Sequence, residues 1–157
     1  MRNICLLVIL ALLTVPLAAA AAPTDAIAME NYLKKLNVKF KRGEQGEYLF
    51  ELGFPNEKKE KFLVKVMPQV KLVYIAIVDI HRIASVGPRS EATFRKMAEL
   101  NYKLAVGKLE WDPQTTMIRL SHTFAAEDGI DFATFKSMVQ TLLTQAPEVR
   151  KALKKAK

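Results

Sequence analysis

The sequence predicts an α+β domain on one antiparallel sheet, with elements in the order α-β-β-β-β-α-β-β-α. Three observations predict it. Apolar residues alternate with polar ones through several runs between residues 38 and 124. Three other segments carry apolar residues at helical spacings of three and four, and turn-forming residues separate the runs from one another.

The first helix is read over residues 25 to 37, where Met29, Tyr32, Leu33 and Leu36 share one face and Thr24 is available as an N-cap. Val38 to Arg42 and Glu47 to Phe54 then form a hairpin about Gly43-Glu44-Gln45-Gly46, whose glycines permit a tight turn. Tyr48, Phe50, Leu52 and Phe54 supply its apolar face. After the polar turn of 55 to 60, Phe62, Val64 and Val66 alternate in a third strand that Pro68 ends or bulges. Leu72 to Ile80 is apolar on both faces, the pattern of a central strand covered on both sides.

Gly87 and Pro88 break the chain, Ser90 is the expected cap, and Phe94, Met97, Ala98 and Asn101 mark the inward stripe of a second helix ending near Leu104. Asn101 on that stripe needs partners and is expected to tie the helix end to backbone groups. Ala105 to Trp111 and Thr116 to Phe124 flank the turn Asp112-Pro113-Gln114-Thr115, in which proline presets φ. Asp131 caps a third helix with Phe135, Met138, Val139, Leu142 and Leu143 inward. Pro147 suits the first turn of a separate short helix to about residue 155.

The domain division follows. Residues 1–21 are read as a cleavable secretory signal peptide: Arg2, then the apolar Ile4 to Leu13, then Pro16, Leu17 and an alanine run, with cleavage after Ala20 or Ala21. The stretch is also about long enough for a retained membrane anchor; Pro16 and the alanines favour cleavage. Residues 22–146 form the folded domain, and 147–157 a short basic C-terminal helix or tail. The expected location is therefore the periplasm or the outside of the cell.

The chain has 157 residues, is half apolar and one quarter charged, and carries a formal charge of +8. That is the composition of one globular domain, and its basic balance favours acidic partners. The only cysteine, Cys5, lies in the signal segment, so the mature chain has no thiol for a disulfide or a thiolate metal site. Export argues against nucleic acid as a partner.

No catalytic motif is written into the sequence. Asp79 and His81 stand two apart on a strand, the spacing of a metal pair, but two ligands do not make a site. His122 lies between Leu120 and Phe124 on an apolar face, where a neutral imidazole with one partner is expected. No serine sits in a glycine-flanked elbow, and the glycines form no phosphate-binding loop. Glu127 to Asp131 lacks the twelve-residue calcium loop. The expectation is a protein that is not an enzyme and uses no cofactor and no metal. Partner contact is assigned to Arg150, Lys151, Lys154 and Lys155 of the basic C-terminus, which also complement a helix dipole, and to Trp111. Trp111 is either an interface anchor or, by its alternation with Leu109, a core residue.

Over residues 27 to 145 the chain resembles the YbjN-like family, whose fold is that of type III secretion chaperones. The residues that carry the resemblance are Tyr32-Leu33-Lys34-Lys35-Leu36, the apolar Leu72 to Ile80, the stretch Leu100 to Asp112 and Gly129 to Phe135. The resemblance implies a dimeric module that holds an extended segment of a client. Secretion chaperones are cytosolic and acidic; this chain is basic and carries an export signal. The expected function is a non-enzymatic, chaperone-like protein-binding module of the bacterial cell envelope, working as a homodimer on a protein partner. The alternative is a basic surface binder of anionic membrane lipid or envelope polymer through the C-terminal segment.

Overall fold

The computed structural model describes residues 26–55, 57–126 and 129–156. The expected signal peptide, the Thr24 cap and the segment 127–128 lie outside the described residues. Helix α1 (Ala26–Lys35) leads into β1 (Phe40–Arg42), β2 (Tyr48–Leu52) and β3 (Glu60–Met67), and a 3₁₀ turn at Pro68–Val70 precedes β4 (Leu72–Arg82). Then come α2 (Pro88–Lys103), β5 (Lys108–Asp112), β6 (Met117–Ala125) and α3 (Phe132–Lys155). The six strands form one sheet in the order β1-β2-β3-β4-β6-β5, every pair antiparallel.

Register explains how the alternation becomes a core. Phe50 stands opposite Phe62, Phe62 opposite Ile77 and Ile77 opposite Leu120, so one row crosses four strands on one face. The rings of Phe50 and Phe62 stack at 5.1 Å. All three helices cover this face: Met29 and Leu33 of α1, Met97 of α2 and Phe135, Val139, Leu142 and Leu153 of α3 join the same buried cluster. At about 25 cal/mol per Å2 removed from water, these aromatic and aliphatic side chains are what hold the sheet to its helices.

The opposite face of the sheet differs from expectation. Leu49, Leu63, Tyr74 and Ala76 project there by register, and no helix packs over them among the described residues. Apolar residues on both faces of β4 therefore do not mean that a helix layer covers each face. Ala76 is fully buried by its neighbours in the sheet, whereas Leu63, Tyr74 and Val78 are half-buried.

Three helix details are corrections. Ser90 is not the N-cap of α2; the helix starts at Pro88 after Gly87, and the Ser90 hydroxyl reaches back, accepting from Gly87 N at 3.0 Å and donating to Gly87 O at 2.8 Å. Ala98 is exposed, and Ser90, Thr93 and Met97 are the buried stripe. Pro147 does not start a new helix: α3 is continuous, because Leu142, Ala146, Val149 and Leu153 keep one buried stripe through it. Packing of that stripe outweighs the missing amide hydrogen. The Asp131 cap is as expected, accepting from Thr134 N at 2.9 Å.

Gly107 is the glycine that the fold requires. Its φ of +86° is left-handed, and a Cβ there would meet the Ser121 carbonyl at 3.0 Å.

Candidate functional site

β1 is an edge strand, with β2 on one side and no strand pairing on the other among the described residues. It has three residues against five in β2 and eight in β3, so the sheet ends in a step. A groove of about 930 Å3 opens at this step. Leu36, Val38, Phe40, Leu49, Leu52 and Val78 give it apolar walls, and Leu49 is 40% exposed. An apolar side chain left open to water in this way retains free energy that a bound partner recovers.

The charged lining has one dominant sign. Lys39, Lys41, Lys59 and Lys61 line the groove, and Glu51 is the single carboxylate in the lining. Glu51 stands opposite Lys61 in the β2–β3 register. All four lysines are exposed, and none joins an ion pair among the described residues. Four ammonium groups around an apolar trough focus a positive potential on whatever lies in it. The groove offers hydrophobic burial, unpaired backbone at a strand edge, and attraction for anions.

Farther from β1 the helix-free face carries a polar cluster. Glu110 accepts hydrogen bonds from the hydroxyls of Tyr74 (2.8 Å) and Ser121 (2.7 Å) and pairs with Lys108 Nζ at 2.7 Å. Burial, reinforced by the neighbouring Glu110, pushes the Tyr74 phenol up to about 12, so it stays a hydrogen-bond donor. At that end the Glu110 carboxylate is paired while Arg119 Nε is buried without a hydrogen-bond partner; the β1 end has apolar walls and lysines without ion pairs.

The residues singled out in the sequence are scattered. Arg150 turns inward: Nη1 donates to the carbonyls of Asp79 (2.6 Å) and Ile80 (2.9 Å), and Nη2 pairs with Glu60. Lys151, Lys154 and Lys155 are exposed on the last turns of α3. Trp111 packs against the core, edge-on to Phe94 at 5.4 Å.

Asp79 and His81 fall where the β4–β6 register shifts, between Ile77 and His81, which interrupts the simple alternation of the strand. His122 stands opposite Ile75 and His81 opposite Ile118, so four residues of β6, or about 13 Å, separate the two positions along the sheet. Burial lowers the pKa of both imidazoles, and for His81 the nearby Lys154 and Arg150 add to it. No group of three metal-ligating side chains occurs among the described residues. Likewise, no helix of the described residues is long and apolar enough to cross a membrane.

Sequence reasoning missed the groove lysines because they come from two separate stretches. A search for charge blocks finds the C-terminus first. The available signal was alternation: Lys39-Phe40-Lys41 and Lys59-Glu60-Lys61 each place lysines two apart, on one side of a strand.

Known structures share this fold. YbjN from E. coli aligns at TM-score 0.58 and 12% identity, over 80% of this chain and 87% of that one. The ExsC–ExsE complex gives TM-score 0.60 at 16% identity, over 82% and 92%. The HopA1–SchA chaperone–effector complex gives 0.53 at 9%, over 77% and 88%. No curated protein matches the sequence. The model of the YbjN family, described as "Putative bacterial sensory transduction regulator", matches residues 25–155. With that match running from the start of α1 to the end of α3, the chain belongs to the YbjN family.

Proposed function

We propose that this protein is a non-enzymatic, chaperone-like binding module of the bacterial cell envelope, and that it holds an extended segment of a protein partner in the groove beside β1. The observation that carries the reading is the groove itself: apolar walls, an unpaired strand edge and cationic lining at one place. Strand edges recognise extended peptides through backbone hydrogen bonds, with pockets selecting side chains. Structural neighbours include a chaperone bound to its effector, which supports the reading by analogy of fold. The pattern of residues 1–21 supports the envelope location, and the resemblance to dimeric chaperones supports a homodimer.

Affinity capture from envelope extract tests this. Wild-type protein retains a partner that Leu49→Glu loses, because the substitution buries a carboxylate in the apolar wall. Equal recovery on both proteins, or no enrichment over an unrelated bait, rejects it.

The exposure of Lys151, Lys154 and Lys155 on one helix end favours a second reading, contact with an anionic surface. Each such charge contributes about 1 kcal/mol near an anionic membrane. Binding to phosphatidylglycerol vesicles at low salt that falls when the three lysines become glutamines supports it; no binding at low salt ends it.

A further inference from the structure

We propose that the groove selects a peptide in which acidic and apolar residues alternate, laid along the free edge of β1 as an additional strand. This rests on the reading above and adds the chemistry of the partner. Phe40 stands opposite Phe50 and Lys41 opposite Leu49. Phe50 belongs to the helix-covered face and Leu49 to the open one. The pleat therefore sends Phe40 and Arg42 to the covered face, and Lys39 and Lys41 to the open face.

A strand added beside β1 inherits the same pleat. Its residues next to Lys39 and Lys41 fall on the open face, and the residue next to Phe40 falls on the covered one. Carboxylates at the first two positions and an apolar side chain between them satisfy all three. Arg42 makes no such demand, since it lies 3.8 Å from Glu30 and over the Tyr48 ring. Lys39 and Lys41 have no ion-pair partner among the described residues. A second copy of the chain does not fit this edge. Two β1 strands side by side bring lysine against lysine on one face, and like charges directly opposite are destabilising.

The test compares short fluorescent peptides in which valine alternates with glutamate, glutamine or lysine. Two opposite-charge cross-strand pairs predict that the glutamate peptide binds about 2- to 30-fold tighter than the glutamine peptide. The lysine peptide binds weakest, and added salt narrows the differences. Lys39→Glu with Lys41→Glu, both exposed positions, inverts the order of the charged peptides. If the glutamate and glutamine peptides bind equally, or if the double variant keeps the original order, the lysines only guard the edge and the inference is overturned. In that outcome the edge still takes peptides and the proposed function stands. If none of the three binds, the inference and the groove reading fall together.

Discussion

Arg150 and Glu60 meet with Nη2 and Oε2 2.5 Å apart, one from the late turns of α3 and the other from the first residue of β3. The same guanidinium holds the Asp79 and Ile80 carbonyls where β4 departs from regular register. One side chain thus ties the helix to two strands, and Glu60 is 8% exposed. Removing one partner of such a pair leaves the other charge with little water to replace it.

Arg150→Met is therefore expected to destabilise the fold by about 3 kcal/mol, with Glu60→Gln costing less because the guanidinium it leaves unpaired still donates to the Asp79 and Ile80 carbonyls. Urea titration of both single variants and the double variant measures the coupling. A coupling below about 0.5 kcal/mol means that the pair contributes no more than an exposed ion pair.

Asn101 clamps Leu109, its amide donating to the Leu109 carbonyl at 3.2 Å and its oxygen accepting from the Leu109 amide at 2.6 Å. Asn101→Ala leaves both backbone groups of β5 without these bonds and is expected to cost about 1–3 kcal/mol. Asn101→Asp keeps the acceptor but sets a second oxygen against the Leu109 carbonyl, so it too is expected to be less stable than wild type. Denaturant midpoints compare the three proteins, and an alanine variant as stable as wild type counts against the clamp.

Pro147 lies inside α3, where alanine is about 3 kcal/mol more favourable in an isolated helix interior. Pro147→Ala is expected to raise the thermal midpoint, with the gain reduced by whatever bend the proline imposes. A lower midpoint indicates that the bend is needed for Val149 and Leu153 to reach the core.

Burial depresses the pKa of His122, and burial with Lys154 and Arg150 depresses that of His81. Their neutral forms are therefore favoured by folding. The unfolded chain binds more protons below its ordinary imidazole value of about 6.5, so this contribution is present above that pH and is lost as pH falls through the folded values. Stability is expected to decline as pH falls below about 6.5, and the decline is expected to flatten in the double variant His81→Gln, His122→Gln. An unchanged slope in the variant assigns the decline to carboxylates instead.

Local chemistry was legible in the sequence wherever one residue determines its own geometry. Asp131 caps, Asn101 ties a helix end to a strand, and Asp112-Pro113 turns, because each acts on backbone a few residues away. The element order followed from periodicity for the same reason. Pro147 was misread because local propensity favours a break, and the stripe of Leu142, Ala146, Val149 and Leu153 overrides it only through tertiary packing. Arg150 looked like part of a basic surface, since its partners lie 70 to 90 residues away in the chain. The groove was hidden for a related reason: Leu36, Leu49, Lys61 and Val78 become neighbours only when the strands pair.

The most direct measurement places a photo-crosslinking amino acid at Leu49 in the groove and, as a control, at Tyr102, which is 92% exposed on α2. After irradiation of intact cells, the account predicts a discrete adduct from position 49 that Lys39→Glu with Lys41→Glu weakens, and none from position 102. Equal adducts at both positions, or none at position 49, would contradict it.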